Sequence, residues 1–417
     1  MYKKETLPNG VRIVTEEIPH VRSACLGIWI GAGSRDEDDR NNGIAHFIEH
    51  MMFKGTEKRS AKEIAETLDA VGGQLNAFTS KEYTCYYAKV LDEHLDIATD
   101  LLSDMLFNSV YRDEDIEKEK NVIIEEIKMY EDAPDELVHD IFASTLWGGH
   151  SLGRPVIGNE EIIGRLEKKE MFNFKNKYYD PESIVVAVAG HIKHQVIVEK
   201  LTPLFGKLKK KKRQRNYKAP EAKCRVQFKQ KDTEQVHLCI GTPGLPLDDE
   251  NIYVLHVMNS ILGGGISSRL FQEIREERGL AYSIFTYHSS YRDAGLFSIY
   301  AGLSQQNLNK VISLIGTEMK NIRVQGVSKD ELLRAKAQLK GSMFLGLENV
   351  SNRMTRLGKT ELCLNRVVTV EEAVKRINKV TIGDVRELAE RFFISSNIAV
   401  SSIGPQLDVS QLNLAID

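Results

Sequence analysis

The stretch KLKKKKRQRNYKAPEAK, residues 207–223, is the densest run of like charge in the chain and carries Pro220 near its end. Such a block repels itself and resists burial, so it reads as a solvated linker; a docking patch for an acidic partner is the other reading of the same charges. It divides the 417 residues into two nearly equal parts, 1–206 and 224–417. At about 100–200 residues per domain, each part is long enough for a core of its own.

Outward from this stretch, the two parts repeat one pattern. The first runs through RIVTEEI (12–18), SACLGIWIGAG (23–33), an amphipathic stretch from Gly43, GGQLNAFTSKEYTCYYAKV (72–90), a helical segment from Glu93, NSVYRDEDIEKEK (108–120) and another helix. The second runs through CRVQFKQ (224–230), VHLCIGTPG (236–244), an apolar helical stretch from Ile252, GLAYSIFTYHSSYRDAGLFSIYAG (279–302), a helical segment from Gln306 and GVSKDELLRAKAQLKGSM (326–343). Alternating strands such as Tyr83, Cys85, Tyr87 against Thr84, Tyr86, Ala88 favour half-buried, mainly antiparallel sheets with helices packed on one side. The expected fold class is therefore α+β, with two homologous domains joined by the basic linker.

Composition narrows the function by exclusion. A net charge of -3, from 56 Lys+Arg against 59 Asp+Glu, exerts no long-range pull on phosphate backbones or anionic lipid, so neither nucleic acid nor membrane is an expected partner. Cys25, Cys85, Cys224, Cys239 and Cys363 are odd in number and form no C-x-x-C pair, which fits reduced thiols in a cytoplasmic setting. The start, MYKKETLPNG, lacks the apolar core of an export signal, and no run of 18 apolar residues occurs. WIGAGSRDE (29–37) resembles the opening of a dinucleotide loop, but its third glycine is missing and Asp36, Asp38 and Asp39 would repel phosphate. LGGGI (262–266) has no P-loop lysine.

Chemistry concentrates in NNGIAHFIEHMMFKGT (41–56). His46 and His50 are four apart, which puts both imidazoles on one helix face, one turn apart, at the separation two ligands of one metal need. Glu49 lies beside them, placed to act as a base on water without taking a coordination position. The order H-x-x-E-H reverses the H-E-x-x-H zinc-protease helix. A polar helix face with two surface histidines is the plainer reading, but Phe47, Ile48, Met51 and Met52 make this an apolar helix in which unpartnered polar groups would be costly. A third ligand has to come from elsewhere. DEDIEKEKNVIIEEIKMYEDAPDE (113–136) carries Val122, Ile123, Ile124 and Ile127 at helical spacing, with Glu119 and Glu126 two turns apart on one face. One of the two would bind the metal and the other support the site. His191 and His194 in GHIKH have no matching acid and read as a surface turn.

With these motifs in place, the chain resembles the pitrilysin and mitochondrial processing peptidase family of zinc endopeptidases, most of all its bacterial processing-protease branch, along essentially its whole length. The resemblance implies Zn2+ bound by His46, His50 and Glu126, with Glu49 as base and Glu119 as a second acid needed for activity; Glu125 is the competing third ligand. It implies that NAFTSKEYTCYYA (76–88) takes up extended peptide by strand addition, with Asn76, Ala77 and Phe78 against the cleaved region. In SSRLFQEIREERGLAY (267–282), Arg275 and Tyr282 match the family residues that hold substrate and stabilise the oxyanion. The second part has no H-x-x-E-H, only HVMNS (256–260), and resembles the family's non-catalytic domain. LGGGISSR (262–269) is short beside the long glycine-rich loop of the mitochondrial regulatory subunit. The expected activity is hydrolysis of peptide bonds in extended chains by a homodimer, with a catalytically inactive scaffold or regulatory subunit of the same fold as the alternative.

Overall fold

The segment Ile184–Gly190, IVVAVAG, is apolar without interruption, which suits a strand covered on both faces rather than one exposed to water on alternate residues. A computed structural model describes residues 2–210, 215 and 217–405 and places this segment in the middle of a sheet. In chain order the strands of this first sheet are β1 (Tyr2–Thr6), β2 (Arg12–Glu17), β3 (Ser23–Ile30), β4 (Gln74–Thr79), β5 (Thr84–Leu91) and β6 (Ile184–Gly190). A second sheet holds β7 (Val226–Gln230), β8 (Val236–Pro243), β9 (Ala281–Ser290), β10 (Gly295–Leu303) and β11 (Ala399–Gly404).

Their spatial orders, β1-β2-β6-β3-β5-β4 and β7-β11-β8-β10-β9, coincide strand for strand once β1 is set aside. In each, the first and last strands of the repeat lie parallel, β2 with β6 and β7 with β11, and the other neighbours are antiparallel. The repeat read from the sequence is thus a repeat of topology. It is α+β with mainly antiparallel sheets, as expected.

The helices are α1 (Ile44–Met51), α2 (Ala61–Asp69), α3 (Leu95–Asn108), α4 (Asp113–Glu131), α5 (Pro134–Trp147), α6 (Glu160–Arg165), α7 (Lys168–Tyr178), α8 (His194–Phe205), α9 (Ile252–Leu262), α10 (Leu308–Gln325), α11 (Lys329–Gly346), α12 (Val350–Leu364), α13 (Val370–Lys379) and α14 (Ile382–Phe392). Two units result. Unit 1 comprises Met1–Lys128, Arg154–Asn216 and Gly346–Val368; unit 2 comprises Met129–Gly153, Tyr217–Leu345 and Thr369–Asp417. The main changeover, Asn216 to Tyr217, falls inside the basic stretch, but a cut of the chain into 1–206 and 224–417 misses an exchange. α5 belongs to the second sheet and α12 to the first.

The exchange corrects the expectation of helices on one side only. One face of the first sheet packs Leu26, Ile28, Tyr86 and Val186 against Phe47 of α1, Leu102 of α3 and Phe174 of α7. The opposite face packs Val14, Cys25, Trp29, Cys85 and Val185 against Val350, Met354 and Leu357 of α12. Trp29 is the pivot: its indole N–H points at the Met354 sulfur, 3.3 Å away, and Gly358 lies so close that a Cβ there would sit 2.1 Å from Trp29 Nε1. The second sheet repeats this arrangement, with Phe142, Leu146 and Trp147 of α5 against Cys239, Leu296, Tyr300 and Ile403. Burying both faces removes the polar alternation that a one-sided sheet would need.

Positions 211–214 and 216 of the basic stretch, on which the linker reading rests, lie outside the described residues. Arg215 does not behave as a solvated linker residue. It donates to the Tyr178 carbonyl at 2.9 Å and its guanidinium lies 5.5 Å from the centre of the Tyr178 ring. His191 and His194, read together as a surface turn, part ways: His191 is exposed and pairs with Asp92 at 2.7 Å, whereas His194 starts α8, half-buried, with its Nδ1 2.8 Å from the Thr15 hydroxyl.

Candidate metal centre

α1 begins at Gly43, whose φ of 96° is open to glycine and strained for other residues. A glycine has no side chain with which to cap a helix, and Glu37 supplies the cap from seven residues before the first turn. Its Oε1 accepts from the Ala45 N–H and its Oε2 from the Gly43 N–H and the Asn42 amide, each at 2.8 Å. Burial pushes the Glu37 carboxyl up to about 8, even against these hydrogen bonds. Ile44, Ala45, Phe47, Ile48 and Met51 turn into the core, which leaves His46, Glu49 and His50 on the remaining face.

α4 meets that face with its acidic side. Ile116, Ile123 and Ile127 anchor it, and Glu119 is buried among them at 4% exposure. Glu126 brings its two carboxylate oxygens to 3.9 Å from His46 Nε2 and 3.6 Å from His50 Nε2, while the two Nε2 atoms stand 3.2 Å apart. One donor atom from each of the three residues lies within 4.8 Å of the others, and among the described residues no other His, Cys, Asp or Glu set is so arranged. Glu125 is turned away, 69% exposed and paired with Lys128 at 2.8 Å.

His46 is in the state a metal requires. Burial, reinforced by His50, lowers His46 to about 4, so its imidazole is neutral at working pH and offers a lone pair. His50 Nδ1 lies 2.8 Å from Glu119 Oε1, and Lys54 Nζ lies 2.5 Å from Glu119 Oε2. Burial would raise the Glu119 carboxyl, but these two partners outweigh it and hold Glu119 below the usual carboxylate range. Ionised Glu119 can only accept, so the His50 Nδ1 donates to it, and Nε2 is the ring atom turned toward Glu126. Two imidazole nitrogens and one carboxylate fit zinc, and three protein donors match a catalytic rather than a structural site.

Glu49 stands beside this set, and its carboxyl is raised, first by burial. Its Oε2 accepts from the Thr79 hydroxyl at 2.5 Å. Thr79 ends β4, the strand at the edge of the first sheet, where Asn76, Ala77 and Phe78 pair with Tyr87, Tyr86 and Cys85 of β5. Alternation puts Ala77 on the face of Thr79 and sends Asn76 and Phe78 to the other. The Phe78 ring accordingly packs on Trp29, Tyr83 and Tyr87, at centroid distances of 5.6, 6.3 and 6.2 Å. Sequence reasoning missed Thr79, Lys54 and Glu37. Period-two counting from Ala77 would have found the first, and the one-turn spacing of Lys54 after His50 the second; nothing local marks Glu37.

Arg275 and Tyr282 belong to unit 2. Arg275 lies in a π-helical segment, Phe271–Glu276, with its guanidinium 4.8 Å from the Phe271 ring centre and 5.5 Å from that of Tyr282. Tyr282, near the start of β9, is 75% exposed. The structure brings these two together as a cation–π pair.

Residues 12–160 match the family described as Insulinase (Peptidase family M16), and residues 165–339 match the Peptidase M16 inactive domain. A relative from Bacillus subtilis named uncharacterized zinc protease YmxG is 46% identical over 405 residues, 97% of this chain and 98% of its own length. An uncharacterized zinc protease of Streptomyces coelicolor is 45% identical over 414 residues, covering 97% of this chain and 90% of its own. Among solved structures, a protease from Helicobacter pylori superposes with a TM-score of 0.91 at 22% identity, over 97% of this chain and 100% of that one. A chain of Complex III2 from Candida albicans does so with a TM-score of 0.86 at 22% identity, over 99% of each. The last two show the shared fold. The chain belongs to peptidase family M16, the insulinase family, with the metal motif in its first half and a second half of the inactive-domain type.

Proposed function

We propose that the chain is a zinc-dependent endopeptidase that hydrolyses peptide bonds in extended or unfolded chains. The observation that carries this is the meeting of His46, His50 and Glu126 next to Glu49, in a chain whose relatives are named zinc proteases. Zinc held by these three residues would supply Lewis acidity, polarising the carbonyl under attack and making water a competent nucleophile near neutral pH. Glu49, oriented by Thr79, takes the proton of the attacking water and returns it to the leaving amine. Glu119 fixes the His50 ring and tautomer. The edge strand β4 offers main-chain groups to an extended substrate, so affinity comes with little regard for sequence. Arg275 and Tyr282 are assigned to holding substrate and stabilising the tetrahedral oxyanion, for which their donors are suited. The assignments of a homodimer and a cytoplasmic location rest on the resemblance and on the thiols; among the described residues no helix is long and apolar enough to cross a membrane.

The test is Glu49→Gln. The variant should keep its zinc and lose cleavage of an unfolded protein such as casein by about a thousandfold or more, a loss on the scale of a missing general base plus its orientation. Normal cleavage by the variant sinks the base assignment. A wild type that binds zinc yet cleaves nothing favours the scaffold reading.

A further inference from the structure

Behind the metal helix, unit 1 has a cleft of about 250 Å³ whose function the reading above leaves open. Leu106 and Phe107 of α3, Phe172 of α7, Ile184 of β6 and Leu208 give it apolar walls. Two cations line it, the exposed Lys209 and the half-buried Lys175 of α7. The Lys175 amine is directed at an aromatic face. It lies 5.4 Å from the centre of the Tyr111 ring, and Tyr111 is itself buried. No carboxylate of the described residues is within ion-pair distance of Lys175, so burial goes uncompensated and lowers the amine to about 8. At that value it is still mostly protonated at neutral pH, a half-buried charge that faces an aromatic ring and has no carboxylate beside it, in a cleft whose other polar residues, Ser109, Asn176 and Tyr179, are uncharged at that pH.

We infer that this cleft is a binding site for a small organic anion with an apolar tail, of the class of medium-chain aliphatic carboxylates. The carboxylate would pair with the Lys175 amine and the tail would lie along Leu106, Phe107 and Phe172. The size agrees: the cleft falls just under the roughly 300–1,000 Å³ of drug-sized sites, so a short chain fits and a bulky ligand does not. Charge complementarity selects a carboxylate over an alcohol or an amine of equal length, because only the anion relieves the unpaired cation. The cleft also adjoins the metal helix. Ser109 on its wall donates to the sulfur of Met52, the residue that follows α1, at 3.4 Å, and the Tyr111 hydroxyl reaches the same sulfur at 3.7 Å.

The experiment is isothermal titration of the full-length zinc-loaded chain with octanoate at pH 7, and with octanol as the uncharged equivalent. Saturable one-to-one binding of octanoate is expected, with octanol at least tenfold weaker. Lys175→Met keeps the apolar volume and should weaken octanoate at least tenfold while leaving octanol unchanged. Lys175→Arg keeps the charge and should stay within a few-fold of the parent chain, which covers the case in which the methionine variant does not fold. Octanoate binding that is absent, or equal in Lys175→Met and the parent chain, or no stronger than octanol, overturns the assignment.

Discussion

The Thr79 hydroxyl, at the end of the edge strand, donates to the Glu49 carboxylate on the metal helix at 2.5 Å. One hydrogen bond therefore ties the proposed base to the edge strand, and a peptide seated on β4 as proposed would be registered against that carboxylate. Thr79→Val keeps the shape and removes the bond. It should lower kcat about tenfold with KM and zinc content little changed, the size of one lost bond to a charged group. A drop confined to KM would mean that Thr79 serves binding alone.

Glu126 and Glu125 are adjacent in sequence and opposite in circumstance: the first faces two imidazoles, the second pairs with Lys128. Metal analysis of purified protein should find about one zinc per chain. Glu126→Gln should strip most of it under dialysis, and Glu125→Gln should not. The reverse result would exchange their roles.

Glu119 touches the proposed metal only through His50, so its removal should loosen rather than abolish the site. Glu119→Gln is expected to weaken zinc about 10–100-fold, measured by competition with a chelator. It also leaves Lys54 without its carboxylate. Unchanged zinc affinity would rule out the supporting role.

The fork between Arg269 and Glu331 predicts the acid behaviour of unit 2. Arg269 donates to the two Glu331 oxygens at 2.6 and 2.9 Å, and the Ser328 N–H adds a third bond at 2.7 Å. Burial alone would raise Glu331; these donors win and lower it from 4.5 to about 2. The folded carboxyl is thus the stronger acid, so its stabilisation is present above pH 4.5 and is lost as pH falls toward 2. Glu331→Gln should cost roughly 1–3 kcal/mol at pH 7 and flatten this acid limb in thermal denaturation. Equal loss at pH 7 and pH 3 would contradict the linkage.

Gly358 packs against Trp29 with no room for a side chain. Gly358→Ala should lower stability by about 1–3 kcal/mol, because the indole has to move within a filled layer. An unchanged melting temperature would show that α12 is free to shift.

The metal donors were legible because helical periodicity alone puts residues four and seven apart on one face, and His46, His50, Glu119 and Glu126 obey it. The repeat was legible because turn chemistry and apolar runs recur in the same order. The exchange of α5 and α12 was not: each is an ordinary amphipathic helix, and its sequence records that one face is apolar without recording which sheet it covers. The assumption of one-sided sheets failed for the same reason, although the unbroken apolar run of Ile184–Gly190 carried the contrary signal. Phe78 was assigned toward the cleaved region by resemblance, whereas the pleat turns its ring to the Trp29 side.

The exchanged helix also sets an order of events during synthesis. The metal residues and every strand of the first sheet have been made once Gly190 is joined, yet the layer that covers Trp29 and Cys25 ends only at Leu364. For the time it takes to add more than 170 residues, a ribosome-bound chain carries a complete metal motif on a sheet with one apolar face uncovered. That interval is when the chain is most open to aggregation and to capture by chaperones, and it means that a message truncated after the first half yields a sticky fragment instead of a stable metal-binding domain.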